Sequence, residues 1–355
     1  MKSRETMTIE SKESQTQNLL RLKAKLMSQI FNLLDYFEVQ DYFTTDVMII
    51  GSCPVHDGDN PQAFNINIDP SSDYYGSWFC NTKHCHEGSN DILSLVGELL
   101  AKKSGRPFSF VEVLNFCKDF TKNVNVEFTA NISRQDTLSS ILEKNSKTQI
   151  KGRYTRSQVR SRLKYPCSYY LDRGFSSDAL DYFDVGVSED KNSEMYQRAV
   201  FPIYDENDEY MIGCVGRTIC GDSKKWKNKK GFNSASFFYN YGKAIKEIDR
   251  CGTIILVEGQ GDVMKLYMAG VKNAVGMFGS SLSDSQVFLL QKSGALNVVI
   301  MSDNDDAGNK VRQEAHEKLK YSFNIHDVIT PANDVGDMEP SQIDSIIKPQ
   351  LKGLY

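Results

Sequence analysis

Apolar residues recur at three- and four-residue spacing through residues 18–37 (LLRLKAKLMSQIFNLLDYFE), the signature of an amphipathic helix, and 91–101 (DILSLVGELLA) reads as another. Between them, AFNINID and YYGSWFC carry the alternation and aromatic content of strands. Residues 121–150 lose this periodicity: Asn, Ser, Thr and Lys surround scattered apolar positions, which suits a tether. AVFPIYDENDEYMIGCVGRTI (199–219) then predicts two strands around an Asp-Glu-Asn-Asp turn. After 253 the pattern changes again. Short apolar runs, Thr253–Val257 and Val298–Met301, alternate with segments whose apolar positions (Val263, Leu266, Tyr267, Gly270; Val311, Ala315, Leu319) share one helical face. That alternation predicts an α/β unit with a parallel sheet. The chain has no internal repeat, and three folded regions emerge: 1–120, 151–250 and 251–355, with 121–150 as linker.

Composition narrows the class. At 355 residues, 40% hydrophobic and 25% charged, the chain is ordinary globular protein. A net charge of −4 gives no global attraction to nucleic acid, so basic surface has to be local. Two segments supply it: KGRYTRSQVRSRLKYP (151–166), six basic residues with no acid, and KKWKNKK (224–230), with a Trp inside. The polar N-terminus lacks the apolar core of a signal peptide, and no apolar run approaches the ~20 residues of a membrane helix. Eight cysteines without such a signal point to reduced thiols or metal ligands. The expectation is a soluble cytoplasmic protein, with no membrane partner.

Three of the five histidines and three of the eight cysteines fall within 34 residues, 53–86. Cys53-Pro-Val-His56 and Cys80-Asn-Thr-Lys-His-Cys85 form two close-spaced pairs joined by a predicted hairpin. Each pair can clamp one edge of a tetrahedron, which is how a structural zinc site is built. The expected ligands are Cys53, His56, Cys80 and Cys85, with His84 and His86 as alternatives to Cys85. Trp78, Phe79 and Tyr75 are candidates for stacking on bases or for core packing.

The second cluster lies at two strand ends. Thr253–Val257 runs straight into Glu258-Gly-Gln-Gly-Asp262, and Val298–Met301 into Ser-Asp303-Asn-Asp305-Asp306-Ala-Gly308. In a parallel sheet such ends share one edge, where ligands bind. Carboxylates gathered there repel one another and call for a divalent cation, Mg²⁺ or Mn²⁺. The glycines allow a sharp turn into each helix. GQGD lacks the third glycine of a dinucleotide fingerprint. Asp303, Asp305, Gly308 and Glu314 also match positions 1, 3, 6 and 12 of an EF-hand loop, but Ala307 stands at position 5 and a strand precedes. Strand alternation predicts that Asp303 and Asp305 share a direction while Asp306 points elsewhere.

The pairing of E-G-x-x-D with D-x-D-x-A-G resembles the Toprim domain of primases and topoisomerases. With the upstream Cys/His island, residues 45–345 resemble a bacterial or phage DnaG-class DNA primase. The resemblance implies a multidomain fold: an N-terminal zinc ribbon (1–120), an α+β basic polymerase subdomain (151–250) and an α/β Toprim domain (251–355). YYLDRGFSSDALDYFDVGV, FPIYDENDEYMIGCVGR and Lys225-Trp226-Lys227-Asn228 resemble the basic subdomain; the family's Lys-Tyr-x-Asn has Trp226 as its aromatic here. Arg217, Lys225, Trp226 and Asn228 are thereby implied in nucleotide and template binding. Two features depart from the family: the second zinc pair is spaced by four residues rather than two, and the third acidic motif reads Asp334-Val-Gly-Asp337.

The implied activity is DNA-dependent synthesis of short RNA primers from NTPs on single-stranded DNA, by a phage-encoded nucleotidyltransferase in the host cytoplasm. Glu258 is then an acid/base or metal-organising group, Asp303 and Asp305 are metal ligands, and Asp262, Asp334 and Asp337 are further Mg²⁺ candidates. A Toprim nuclease and a non-catalytic single-strand-binding factor are the competing readings. The resemblance also implies a hexameric helicase as partner, with the 18–37 helix as a candidate contact, and a single-stranded DNA-binding protein as another; no G-x-x-x-x-G-K-[ST] occurs, so no fused helicase motor is expected.

Overall fold

A computed structural model describes residues 16–124, 154–205, 207–221, 224–331 and 334–355. The N-terminal tail and most of the expected linker (125–150) lie outside these residues. The chain divides into two compact units: Met1–Arg134 with Val287–Val298 and Ala315–Ile325, and Gln135–Gln286 with Val299–Glu314 and His326–Tyr355.

In the first unit the amphipathic stretch forms two helices, residues 16–28 and Ile30–Tyr36, broken at Gln29. Its apolar stripe (Leu19, Leu22, Leu26, Ile30, Leu33) enters the core with Ile49, Phe64, Ile66 and Trp78. An antiparallel sheet β1-β2-β3-β4 (Tyr42–Thr44, Met48–Gly51, Phe64–Asn67, Trp78–Cys80) supplies the other half of that core. The helix Ile92–Ser104 closes it. Asp91 caps this helix by accepting the Ser94 N–H, and Gly105, at φ +67°, ends it in the left-handed conformation. Asp91 also receives the Ser322 hydroxyl at 2.7 Å and lies 2.7 Å from Lys23 Nζ. Tyr74 stacks on Phe288, with ring centroids 4.7 Å apart. Sequence-distant pieces of the unit are thus joined by buried polar and aromatic contacts.

Trp78 corrects one expectation. It is fully buried and donates its Nε1–H to Ser94 Oγ, so it is core and cannot stack on a base. The apolar face of the 18–37 stretch is likewise consumed by the unit's own core; Phe31 and Tyr36 stay partly exposed, Phe31 stacked on Tyr42 and Tyr36 packed on Phe37, Phe116 and Phe120.

The second unit holds an antiparallel sheet β5-β6-β7-β8 (Gly186–Val187, Arg198–Tyr204, Met211–Thr218, Trp226–Asn228). The two strands predicted around 199–219 are β6 and β7. The acid-free segment 151–166 departs from expectation. Arg156 binds Asp184 and Asp208, Arg160 binds Asp181 and Asp184, and Lys164 binds Glu189. Asp184 is fully buried, so these cations neutralise the unit's own acids instead of offering a free basic face.

The remaining sheet runs β10-β9-β11-β12 (Ala274–Gly276, Thr253–Val257, Asn297–Met301, Asn324–Asp327). β10 and β9 are parallel, and the bonds Asn324 N–H to Leu296 O and Val328 N–H to Ile300 O advance in the same sense for β11 and β12. All five residues of β9 are buried, the pattern of a central parallel strand. No helix among the described residues is long and apolar enough to cross a membrane.

Candidate functional site

Two clusters carry the chemistry. In the first unit, one donor atom from each of Cys53, His56, Cys80 and Cys85 lies within 4.8 Å of all the others. His56 aims Nδ1 at the sulfurs, 3.1 Å from Cys85 Sγ and 3.7 Å from Cys80 Sγ, while its Nε2 lies 3.4 Å from Thr82 Oγ1. The chain wraps the sulfurs with backbone donors. Burial would raise Cys80, but the N–H groups of Cys85, Lys83 and Thr82 point at its sulfur and lower it to about 5. Cys53 receives the N–H groups of Val55 and His56, though burial still pushes its thiol up. Cys85 is pushed to about 12 by burial and by the neighbouring sulfurs. Thiols crowded so that they cannot all ionise, two of them backed by amides, form a donor set that fits a soft, tetrahedral cation. His86 is engaged otherwise, its Nδ1 accepting the Cys80 N–H at 2.8 Å, and His84 is exposed.

In the second unit a cavity of about 380 Å³ opens at the ends of β9 and β11. Its lining combines five carboxylates (Glu258, Asp262, Asp303, Asp334 and Asp337) with Arg173, Arg217, Lys225, Trp226 and Asn228. The volume falls within the ~300–1,000 Å³ range of small-ligand sites. Register explains the cationic wall. Arg217 pairs with Trp226 and Val215 with Asn228, so alternation turns these four side chains to one face. The Arg217 guanidinium lies 5.4 Å from the Trp226 ring centroid and donates Nε–H to Tyr169 Oη at 3.2 Å. Asn228 donates to Ser234 Oγ.

The acidic wall is strained electrostatically. Glu258 accepts the Asp303 N–H at 3.1 Å, tying the two strand exits together. Burial raises the Glu258 carboxyl, with Asp305 and Asp334 adding to the effect. Asp303 is pushed to about 7 by burial and then by Glu258, Asp334, Asp305 and Asp337. Burial also lifts Asp262 to about 7. Both of its oxygens are taken by backbone amides: Oδ2 accepts from Gly259 at 2.8 Å and Oδ1 from Gly336 at 2.7 Å. Asp262 therefore braces the turn after β9 against the loop carrying Asp334 and Asp337.

Asp305 does not line the cavity. β11 ends at Met301, so strand alternation never reaches Asp303–Asp306, and the argument for a shared direction fails. Asp305 instead accepts the Gly308 N–H at 2.7 Å, capping the helix Asp306–Leu319. Gly308 is required there, because a Cβ would lie 1.9 Å from the Asp303 carbonyl oxygen. An EF-hand geometry is absent, since this helix begins inside the would-be loop.

Two residues of the cavity escaped sequence reasoning. Arg173 sits 3.9 Å from Asp337, and its one signal was the following Gly174 in YYLDRGF. Phe278 lines the cavity at φ +65°, a costly conformation for a bulky residue, and its N–H donates to the Glu258 carbonyl. Nothing local in the sequence marks that strain.

With this geometry in view, residues 252–328 match the Toprim domain family, a span that runs from the start of β9 through β12. The chain is 24% identical over 371 residues to a DNA primase of Staphylococcus aureus, covering 91% of this chain and 57% of that one. It is 24% identical over 308 residues to a DNA primase of Borreliella burgdorferi, covering 78% and 57%. The chain thus spans about 57% of the length of these curated relatives. Among solved structures, the zinc-binding and RNA polymerase domains of the Aquifex aeolicus primase align at 22% identity and a TM-score of 0.46, over 94% of this chain and 84% of that one.

Proposed function

We propose that this chain is a DNA-dependent RNA primase, joining NTPs into short primers on single-stranded DNA. The observation that carries this reading is that one cavity is lined both by the acids after β9 and β11 and by Arg217, Lys225, Trp226 and Asn228. A nuclease needs the acids alone; a polymerase also needs a wall that holds a triphosphate and a base. The Toprim match and the likeness to DNA primases along 91% of the chain support the same reading.

Arg217 and Lys225 pair with phosphate oxygens, Trp226 offers a half-open ring for stacking, and Asn228 adds a polar edge. Glu258 and Asp303, half-buried and raised first by that burial and then by neighbouring carboxylates, are the groups that would hold Mg²⁺ or Mn²⁺, with Asp334 and Asp337 beside them and Asp305 contributing its second oxygen. A divalent ion held there supplies charge compensation as the primer 3′-hydroxyl attacks an α-phosphate and pyrophosphate leaves. Asp262 keeps the acidic loops in place. In the first unit, Cys53, His56, Cys80 and Cys85 would hold a structural Zn²⁺, and residues 1–120 would help choose the template start site. The division into a zinc-binding region (1–120), a basic subdomain (151–250) and a Toprim subdomain (251–355) follows from that assignment. A hexameric helicase and a single-stranded DNA-binding protein are the partners to test at a replication fork.

The test is incubation with single-stranded DNA and labelled NTPs. Templated, divalent-cation-dependent primers support the reading. Cleaved DNA without primers would replace it with a nuclease, and binding without either product with a non-catalytic factor.

A further inference from the structure

We propose that Lys265 is a positioning residue for the nucleotide cavity, acting through Arg173 and Asp337 without lining the cavity itself; this rests on the primase reading of the site. Lys265 lies on the helix Gln260–Met268 and is 2% exposed, among the largest fully buried side chains in the chain. A buried ammonium is costly unless polar groups converge on it. Those groups come from two other segments: Nζ lies 3.4 Å from the Gly174 carbonyl and 4.0 Å from Glu339 Oε1, and 5.0 Å from the Phe175 ring centroid.

Each segment places a cavity residue close by in sequence. Gly174 directly follows Arg173, and Glu339 comes two residues after Asp337. Arg173 and Asp337 meet at 3.9 Å at the cavity. Lys265 is therefore the common anchor beneath a cation and an acid from separate loops. Gly174 adopts φ +79°, a left-handed conformation that glycine takes without steric cost, and a Cβ there would sit 3.5 Å from Nζ. One turn earlier on the same face, Asp262 braces Gly259 and Gly336. The helix thus fixes three loops of the cavity through one buried acid and one buried base, and neither needs to touch substrate.

Primer synthesis as a function of NTP concentration tests this with wild type, Lys265→Met, Arg173→Ala and the double variant. Methionine keeps the packed stem and removes the donor. Lys265→Met should raise KM for NTP about tenfold with kcat within about twofold, the mark of lost binding. The double variant should be no worse than Arg173→Ala alone, because residues acting through one another are not additive. An unchanged KM, or penalties that add in the double variant, would overturn the proposal. Should Lys265→Met fail to fold, Glu339→Lys sets a second cation against Nζ from the exposed side. It should raise KM about threefold, and no change would overturn the proposal equally. If wild type makes no primers, the primase reading fails separately. ATP quenching of Trp226 fluorescence in the same proteins then still reports the affinities, with the same expected order.

Discussion

The Cys/His cluster brings four donors within 4.8 Å of one another, whereas no three carboxylates among the described residues gather so tightly. Cys53 and Cys80 are buried and backed by amides, whereas Glu258 and Asp303 are half-buried at an open cavity. A closed set of soft donors fits an ion that stays and supports the fold. An open set of hard donors fits an ion shared with a ligand. The contrast separates a structural role from a chemical one, and it can be broken by experiment from either side.

The largest effect should come from Cys80→Ser. Structural zinc contributes roughly 10–16 kcal/mol of apparent binding energy, so the first unit should lose stoichiometric metal and its cooperative melting transition. A zinc-loaded variant melting like wild type would show that Cys80 is no ligand. Asp303→Asn should do the opposite: the fold survives, or gains stability from removing a repelled acid, while kcat for priming falls about 10²–10³-fold. Loss of folding would place Asp303 on the structural side.

Two arginines, Arg156 of the 151–166 segment and Arg217 on β7, sharpen the same distinction. Arg156→Ala should cost about 2 kcal/mol of stability, measured by denaturant unfolding, since it removes hydrogen bonds to the buried Asp184. Nucleotide affinity should hold. Arg217→Ala should leave stability nearly unchanged and weaken NTP binding. Equal effects in both would mean that composition, not pairing, decides which cations serve the ligand.

These outcomes also mark what could be read from sequence. The β strands at 199–219, the α/β alternation after 253 and the spacing of Cys53, His56, Cys80 and Cys85 were legible, because periodicity and ligand spacing are local. The fate of 151–166 was not. Its partners Asp181, Asp184, Asp208 and Glu189 are 20 or more residues away, so an acid-free run gave no hint of pairing. The shared direction of Asp303 and Asp305 could not be read from alternation, because β11 stops at Met301 and alternation has no meaning beyond a strand's end. Stacking and core packing were both open for Trp78 until Ser94, sixteen residues on, supplied its partner. Arg173 and Lys265 depend on loops that meet only in the folded chain.

The pH response should be smaller but signed. Asp303 and Asp262 stand near 7 in the fold, well above an unfolded carboxyl near 3.8. Their contribution to stability is therefore full below the unfolded value and is lost as pH rises through about 7. A divalent cation must displace those protons, so its stabilising thermal shift should grow from about pH 5.5 to 8. A shift independent of pH would indicate binding elsewhere. The smallest changes belong to the Asp305–Asp306 pair. Asp306→Asn should stay within about half a kcal/mol of wild type in stability and keep most activity. Asp305→Asn retains an acceptor for the Gly308 N–H, so any fall in priming there reports ligation and not capping.

The most direct measurement is templated synthesis itself: wild type and Asp303→Asn side by side, with single-stranded DNA, labelled NTPs and a titration of Mg²⁺ or Mn²⁺. The account predicts short RNA products from wild type that rise with the cation and vanish on its chelation, and about 10²–10³-fold slower synthesis by Asp303→Asn despite intact folding. No RNA from wild type on any template, or equal synthesis by Asp303→Asn, would contradict it.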